Sequence, residues 1–320
     1  MEYLLENYKN ESELEKMATR EAFGVAIVSV ANENDDVVVL NADLPGSLKL
    51  NDFMEVFPER YLQIGVAEQN MASIAIGLSH YGKIPFITSF AAFSPGLNIA
   101  QIRIGSIKNQ NFKVVSSHYG FHVGPDGASA QMESDIAMMK AIPNMVIVNP
   151  ADYNQTKTMT HLISRAKGPI YMKLTREKFP VFLKEDAHTE IGKVQKLLSG
   201  DKLTVIATGS MVYETLQAVL EEDKDGGNVE LLNLHTIKPL DKEGILESVR
   251  KTGKLLIVEE HNIWGGAGES ISRIVAENHP VFTKIVGIDD TFGESGSHRK
   301  LWEKYKIDRV AIASQIREII

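Results

Sequence analysis

A glutamate and two phenylalanines in the first third of the chain have the types and spacing of a pocket for a flat ring. Glu68 stands at a strand-to-helix corner among small residues, so we expect its carboxyl group to be partly desolvated and to suit a nitrogen heterocycle. Phe90 and Phe93 follow a short apolar strand, where one of them offers a face for ring stacking. Taken singly, an acid in a first helical turn or a phenylalanine pair is more often structural.

A glycine-rich turn with histidines and an acid comes next along the chain. His118, His122 and Asp126 alternate with three glycines in eight positions, which indicates unusual backbone geometry or close approach to a ligand. Arg176 follows a later strand and has the guanidinium chemistry to clamp a phosphate. A metal site is the competing interpretation of the turn. No third histidine or carboxylate stands at convincing spacing, so we expect no metal ligands in this chain.

The composition of the 320 residues limits the classes of function. The 43% hydrophobic and 24% charged content is typical of a globular protein. A formal net charge of −8 argues against nucleic acid as the main partner, but a local basic pocket can still bind an anionic substrate. The absence of cysteine excludes disulfides, thiolate catalysis and zinc–thiolate sites. We expect a cytoplasmic protein, because no signal-peptide pattern and no apolar run of about 18 residues is present.

Short apolar strands alternate with helix-length segments, which is typical of parallel α/β layers. The candidate residues fall just past predicted strand ends, where open parallel sheets bind ligands. The first helix is expected over residues 12–31, with Ser12 as its cap. A charged stretch then breaks the alternation and divides the chain into a first domain (1–178), a linker (179–200) and a second domain (201–320).

Together these segments resemble the pyrimidine-binding domain of the transketolase family of thiamine diphosphate enzymes, and the C-terminal stretch is similar to the third domain of that family. The resemblance covers residues 12–320 and rests on seven motifs in combination. They are Ala42-Asp43-Leu44, Gly65-Val-Ala-Glu68-Gln, Ser89-Phe90-Ala-Ala-Phe93, Gly124-Pro-Asp126-Gly127, Pro143-Asn144-Met145, Asn149-Pro-Ala-Asp152 and Leu174-Thr-Arg176. The diphosphate and metal cradle of the family appears nowhere in the sequence, so the chain resembles the C-terminal subunit of a split transketolase.

The resemblance implies roles for four residues beside the cofactor. Glu68 matches the catalytic glutamate that hydrogen-bonds the aminopyrimidine ring of thiamine diphosphate. Phe93 matches the ring stacked on the pyrimidine, and Phe90 lines the same pocket. Asp43 aligns with an aspartate near the cofactor.

The resemblance also implies a substrate site for sugar phosphates. Four residues match contacts to the substrate phosphate, namely Arg20, Ser47, His118 and Arg176. Asp126 matches the aspartate that binds a hydroxyl group of the donor sugar.

Two positions depart from the family pattern. Many members have a histidine where Ala130 stands, and an aromatic residue where Gly96 stands. We expect Gly96 to open that side of the pocket. The donor or acceptor is then expected to be an unusual ketose or aldose phosphate.

The function implied by the resemblance is transfer of a two-carbon ketol unit between sugar phosphates. A separate N-terminal subunit would hold the diphosphate together with Mg²⁺ or another divalent metal, in a heterotetramer with two copies of each chain. A deoxyxylulose phosphate synthase-like subunit, a 2-oxo acid dehydrogenase β-like subunit and a non-catalytic regulatory subunit of the same fold are the alternatives. His261, in the run Glu259-Glu-His261, is a candidate interface residue of unassigned role.

Overall fold

A computed structural model describes residues 2–320 and shows two large β-sheets that are covered by helices on both faces, together with a small two-stranded sheet. The strands are β1 (Lys16–Met17), β2 (Val37–Asn41), β3 (Tyr61–Gln63), β4 (Ile84–Phe90), β5 (Lys113–Ser117), β6 (Val146–Val148), β7 (Ile170–Leu174), β8 (Phe179–Pro180), β9 (Gln195–Leu198), β10 (Gly200–Ala207), β11 (Gly227–Asn233), β12 (Thr236–Lys238), β13 (Lys254–Asn262) and β14 (Phe282–Ile288). The helices are α1 (Thr19–Glu33), α2 (Asn51–Val56), α3 (Glu68–His80), α4 (Ile99–Ile107), α5 (Asp135–Lys140), α6 (Tyr153–Arg165), α7 (Met211–Glu222), α8 (Lys242–Thr252), α9 (Ala267–Asn278), α10 (His298–Lys304) and α11 (Arg309–Ile319).

The first sheet has seven strands in the order β12-β6-β7-β5-β4-β2-β3. All neighbouring strands pair in parallel except β12, which runs antiparallel to β6. Alternate side chains of β2 enter different cores, because Val37 and Val39 face helices α1 and α6 while Val38 and Leu40 face α3 and α4. Both faces of the strand are therefore apolar, as expected of a parallel sheet between two helical layers.

The second sheet has five strands in the order β14-β13-β10-β11-β9. Its neighbouring strands are parallel except β9, which runs antiparallel to β11. Helices α7 and α11 share one core with the sheet, and α8 and α9 share the other. The predicted α/β class with two parallel-containing, three-layer units is confirmed.

The predicted helix over residues 12–31 is wrong at its beginning. The chain forms a 3₁₀ turn at Glu11–Glu13 and strand β1 before α1 starts at Thr19. Ser12 does not cap the helix, because its hydroxyl donates to the side chain of Asn10. The segment is held elsewhere: β1 pairs with β8, and Leu14 is buried in the core of the second sheet.

The predicted linker carries regular structure. Strands β8 and β9 lie within residues 179–200, and β9 is an edge strand of the second sheet. Strand β12, which comes from the second half of the chain, extends the first sheet. The second half of the chain thus contributes the outer strand of the first sheet. The exact domain boundaries stay a prediction. Among the helices of residues 2–320, none combines the length and the apolar character needed to cross a membrane.

Candidate active site

Glu68 is the first residue of α3, at the edge of the first sheet where β3 ends. The residue is only 6% exposed. Its main-chain carbonyl accepts a hydrogen bond from Asn98 Nδ2 at 3.2 Å, and the same amide lies 3.1 Å from Ser94 Oγ. No side chain of residues 2–320 donates to the Glu68 carboxylate. The structure therefore fixes the backbone of this acid firmly and leaves its functional group without a partner within the described chain.

Asp43 lies at the same edge, in the turn after β2. Its backbone has a positive φ of 58°, a conformation that aspartate tolerates better than most residues. The side-chain oxygen of Gln63 accepts hydrogen bonds from the amides of Asp43 and Gly65, at 2.9 and 3.3 Å. Gln63 thus joins the turn of Asp43 to the loop that leads into Glu68. Its sequence environment, a polar residue at a strand end, carries no signal of this role.

The aromatic rings of Phe93, Phe90 and His118 form a stack. The centroids of Phe93 and Phe90 are 5.8 Å apart, and those of Phe90 and His118 are 3.7 Å apart. Phe93 is half-buried, whereas Phe90 and His118 are buried. Phe93 is therefore the ring whose face is available to a ligand, while Phe90 supports it and connects it to His118.

A cluster of basic side chains lies beyond His118. Thr19 and Thr175 exchange reciprocal bonds, in which the Thr175 amide donates to Thr19 Oγ1 at 2.7 Å and the Thr19 amide to Thr175 Oγ1 at 3.1 Å. These bonds bring the following residues, Arg20 and Arg176, close to each other. Arg20 Nη1 also donates to the Ser47 carbonyl at 2.9 Å. The two threonines are 156 positions apart in the sequence, so the fold alone creates this cluster.

The electrostatics of this cluster favour an anion. Burial lowers the pKa of Arg20, and the positive charge of Arg176 lowers it further. Burial also lowers the pKa of His118 to about 2, and Arg20 and Arg176 act in the same direction. His118 is therefore neutral, with Nδ1 2.6 Å from Ser117 Oγ. Within residues 2–320 the buried Arg20 Nε has no hydrogen-bond partner, so the cluster keeps an unused donor.

The loop from His118 to Gly127, called the glycine-rich loop below, closes the other side of the cluster. Arg176 Nη1 donates to the Val123 carbonyl of this loop at 2.7 Å. Asp126 lies farther along, exposed, in a 3₁₀ turn. The structure thus brings together Arg20, Ser47, His118 and Arg176, and it places Asp126 at the open rim of the same loop.

The expectation that Gly96 opens the pocket is wrong. A Cβ atom at Gly96 would lie 1.9 Å from the Ala92 carbonyl oxygen and 3.1 Å from Met132 Cε. The space beside Gly96 is therefore filled by the chain itself, and the glycine is needed for close packing of this turn. Ala130 is half-buried just after the glycine-rich loop, where its amide donates to the Gly127 carbonyl at 3.0 Å.

A buried polar cluster lies behind the glycine-rich loop and has no clear signal in the sequence. His122 Nε2 lies 3.0 Å from Glu260 Oε2, and both side chains are almost completely buried. Ser210 Oγ donates to the same carboxylate oxygen at 3.0 Å, and the Tyr119 hydroxyl donates to Ser210 Oγ at 3.2 Å. Charged residues such as Glu260 are usually exposed, so the sequence pattern points to the surface rather than to this contact.

His261 belongs to the contact between the two halves. Its Nδ1 lies 2.6 Å from the Asn262 carbonyl, and its Nε2 accepts from the Ala137 amide at 3.4 Å. Burial lowers its pKa to about 4, so the ring is neutral with the proton on Nδ1. Asp135, 3.9 Å from Nε2, is held by Lys173 at 3.0 Å. These contacts give His261 a packing role.

Two family models match the chain. One is the transketolase pyrimidine-binding domain, over residues 15–181, and the other is the transketolase C-terminal domain, over residues 192–312. The first match contains Glu68, the stacked rings and the basic cluster, and the second contains Glu260.

Individual proteins resemble the chain over nearly its whole length. A 6-deoxy-6-sulfo-D-fructose transketolase subunit of Clostridium sp. (strain MSTE9) is 33% identical, covering 98% of this chain and 98% of the relative. An apulose-4-phosphate transketolase subunit of Phocaeicola vulgatus is 32% identical, covering 95% of this chain and 98% of the relative. A solved split-gene transketolase, described as an inactive beta4 tetramer, is 34% identical with a TM-score of 0.87, covering 95% of this chain and 98% of that one.

Proposed function

We propose that this chain takes part in the transfer of a two-carbon ketol unit between sugar phosphates. The chain belongs to the transketolase family and is a subunit of a split transketolase. The observation that carries the proposal is a path of contacts. Asn98 joins the main chain of Glu68 to Ser94, which follows Phe93. Phe93, Phe90 and His118 are stacked, and His118 lies within the charge field of Arg20 and Arg176. One end of this path suits a heteroaromatic ring, and the other suits a phosphate.

The residues at the first end fit the aminopyrimidine of thiamine diphosphate. Glu68 is a buried residue whose carboxylate has no partner in residues 2–320, and Phe93 offers a ring face. Thiamine diphosphate supplies the nucleophilic carbon that the family's chemistry requires. Glu68 would bind a ring nitrogen and share a proton with it, while Phe93 would orient the ring by stacking. Asp43 would border this site from the turn after β2.

A partner chain is needed because this chain offers only one side of such a site. Large apolar residues are exposed near Glu68 and along the neighbouring helix α4: Val66, which is 80% exposed, Leu97, and Ile104 and Ile107 on α4. An apolar surface around an unpaired polar group is typical of a protein interface. The proposed occupant is an N-terminal transketolase subunit that binds the diphosphate and Mg²⁺ or another divalent metal. We propose a heterotetramer of two copies of each chain, located in the cytoplasm.

At the second end, the proposed ligand is the phosphate of the sugar. Arg20, Arg176 and the Ser47 region would hold its oxygens, and neutral His118 can donate a hydrogen bond without adding charge. Asp126 would bind a sugar hydroxyl from the rim of the glycine-rich loop. Each of these roles is a proposal that the residues' positions support.

The same geometry separates the alternatives. A 2-oxo acid such as pyruvate has no phosphate to occupy the space between the guanidinium groups of Arg20 and Arg176, which argues against a 2-oxo acid dehydrogenase β-like role. A deoxyxylulose phosphate synthase-like reaction also involves a phosphate and is distinguished by its use of pyruvate. A regulatory subunit would have no use for the unpaired carboxylate of Glu68.

The test is reconstitution with the N-terminal subunit, thiamine diphosphate and Mg²⁺. We expect a ketose phosphate donor and an aldose phosphate acceptor to exchange two carbons, and we expect no turnover with pyruvate. The chain without its partner should be inactive. Full activity of the isolated chain, or turnover of pyruvate with or without an aldose phosphate, would overturn the proposal.

A further inference from the structure

Glu260 lies on β13 in the C-terminal half, and its side chain contacts the glycine-rich loop of the N-terminal half. Its Oε1 accepts a hydrogen bond from the Phe121 amide at 2.8 Å. Its Oε2 lies 3.0 Å from His122 Nε2 and accepts from Ser210 Oγ at 3.0 Å. Both carboxylate oxygens are thus bound, and two of these three contacts come from consecutive residues of the loop.

The loop is shaped around this carboxylate. Gly120 has a positive φ of 54°, and a Cβ atom there would lie 2.6 Å from Glu260 Oε1. Any larger residue would displace either the loop or the Glu260 side chain. On the side of the basic cluster, Arg176 holds the Val123 carbonyl. The middle of the loop is therefore fixed between an acid of the C-terminal half and an arginine of the candidate substrate site.

The charge of Glu260 makes this contact hard to break. Burial alone would raise its pKa, but His122, followed by Trp302 and the Phe121 amide, outweighs burial and lowers the pKa to about 2. The carboxylate is therefore ionised at neutral pH. If the loop moved away, a buried charge would lose its partners, which is strongly unfavourable.

We propose that Glu260 is a positioning residue for substrate binding: it fixes the loop that carries His118 and Asp126 and that accepts a hydrogen bond from Arg176. Glu260 is not in contact with the candidate phosphate site, so its effect passes through the loop backbone. This role rests on the proposed function only in naming the ligand of the site as a phosphate ester. It assigns to the C-terminal half a part in shaping the site.

The preceding residue on the same strand provides a matched control. Glu259 is also buried, and its carboxylate accepts hydrogen bonds from the amides of Ala267 and Gly268, at 2.7 and 3.0 Å. These donors belong to the first turn of α9 and not to the glycine-rich loop. Replacement of either glutamate removes one buried carboxylate from β13, but only Glu260 is connected to the loop.

The experiment compares Glu260→Gln and Glu260→Ala with Glu259→Gln in the reconstituted enzyme. For the Glu260 variants we expect KM for the ketose phosphate to rise about tenfold, with kcat and KM for thiamine diphosphate nearly unchanged. Hydrogen exchange followed by mass spectrometry should show amides of residues 118–127 exchanging about tenfold faster. For Glu259→Gln, faster exchange is expected at the start of α9 instead, with KM unchanged.

A second exchange measurement, with saturating inorganic phosphate as the probe, does not depend on activity. Phosphate should slow exchange of the loop in the wild type and do so less in Glu260→Gln. If Glu260→Ala does not assemble, Glu260→Gln still decides. A Glu260→Gln enzyme with unchanged KM and unchanged loop exchange would overturn the positioning role. A wild-type enzyme that transfers no ketol unit, yet shows phosphate protection lost in Glu260→Gln, would overturn the proposed reaction and support the positioning role.

Discussion

Glu68 and Glu260 are buried to a similar degree, at 6% and 3% exposure, but they are used in opposite ways. The Glu260 carboxylate is bound by donors from both halves of the chain. The Glu68 carboxylate has no donor within residues 2–320, although its main chain is held by Asn98. Buried polar groups are almost always paired. An acid whose main chain is held while its carboxylate has no protein donor is available to a ligand, whereas a fully paired acid is part of the framework.

The largest expected effect is a loss of catalytic rate when Glu68, the unpaired acid, is replaced. Glu68→Gln should lower the rate of ketol transfer by about 10³-fold, because a positioned proton-sharing group contributes that much. Its free energy of unfolding, measured with urea, should change by less than about 1 kcal/mol, because no protein partner is lost. A Glu68→Gln enzyme that retains a tenth of the wild-type rate would contradict the role proposed for this residue.

The next effect concerns Arg176, which belongs both to the basic cluster and to the contact with the glycine-rich loop. Arg176→Ala should raise KM for a phosphorylated donor by roughly 10- to 100-fold, since hydrogen bonds to charged groups contribute about 1.5–3 kcal/mol. Arg165→Ala is the control, because Arg165 is exposed and pairs with Glu33 on the surface. Steady-state kinetics with phosphorylated and unphosphorylated sugars measure the difference. An equal loss with both sugars would remove Arg176 from the phosphate site.

Packing around the ring pocket is tested at Gly96. Gly96→Ala should destabilise the chain by about 1–3 kcal/mol, because the new methyl group would overlap the Ala92 carbonyl. Gly77→Ala is the matched control, since a Cβ atom there meets nothing within 4 Å and alanine favours the helix by up to about 1 kcal/mol. Urea unfolding of both variants decides. A neutral Gly96→Ala would mean that the turn has room for a side chain, as the sequence alone suggests.

The smallest effect is on the pH dependence of stability. The folded chain keeps His118 neutral, with its pKa lowered to about 2, while the unfolded chain binds a proton there below about pH 6.5. The unfolded state thus binds more protons, and the free energy of unfolding falls as the pH falls through 6.5. His118→Asn should reduce this slope by about 1 kcal/mol per pH unit. His188→Asn, at an exposed histidine, should leave the slope unchanged, and an equal change in both variants would refute the assignment.

Much of the fold can be predicted because its strands and helices are long and periodic. The predicted alternation of apolar strands and helix-length segments is seen, for example, in the order β10, α7 and β11. The two- and three-residue strands β1, β8 and β12 escape prediction or fall in other predicted elements, since such short segments carry no period. Their positions depend on pairing with distant parts of the chain, which a local pattern does not contain.

The candidate site is predictable in its parts but not in its connections. The resemblance to the transketolase family assigns Glu68, Phe93 and the phosphate contacts to specific motifs, and their roles stay predictions. The supports are not visible in the sequence: the reciprocal bonds of Thr19 and Thr175 join residues that are remote from each other. Glu260 looks like one more surface acid in a run of polar residues.

The antiparallel pairing of β12 with β6 has a consequence for attempts to dissect this chain. A fragment that stops after the first domain would retain Glu68, Phe93 and the basic cluster. It would also leave β6 as an exposed edge strand with unpaired amides and carbonyls, and such strands promote fibril formation. The shortest fragment that includes β12, and so covers the edge of β6, extends to Lys238, well inside the second half.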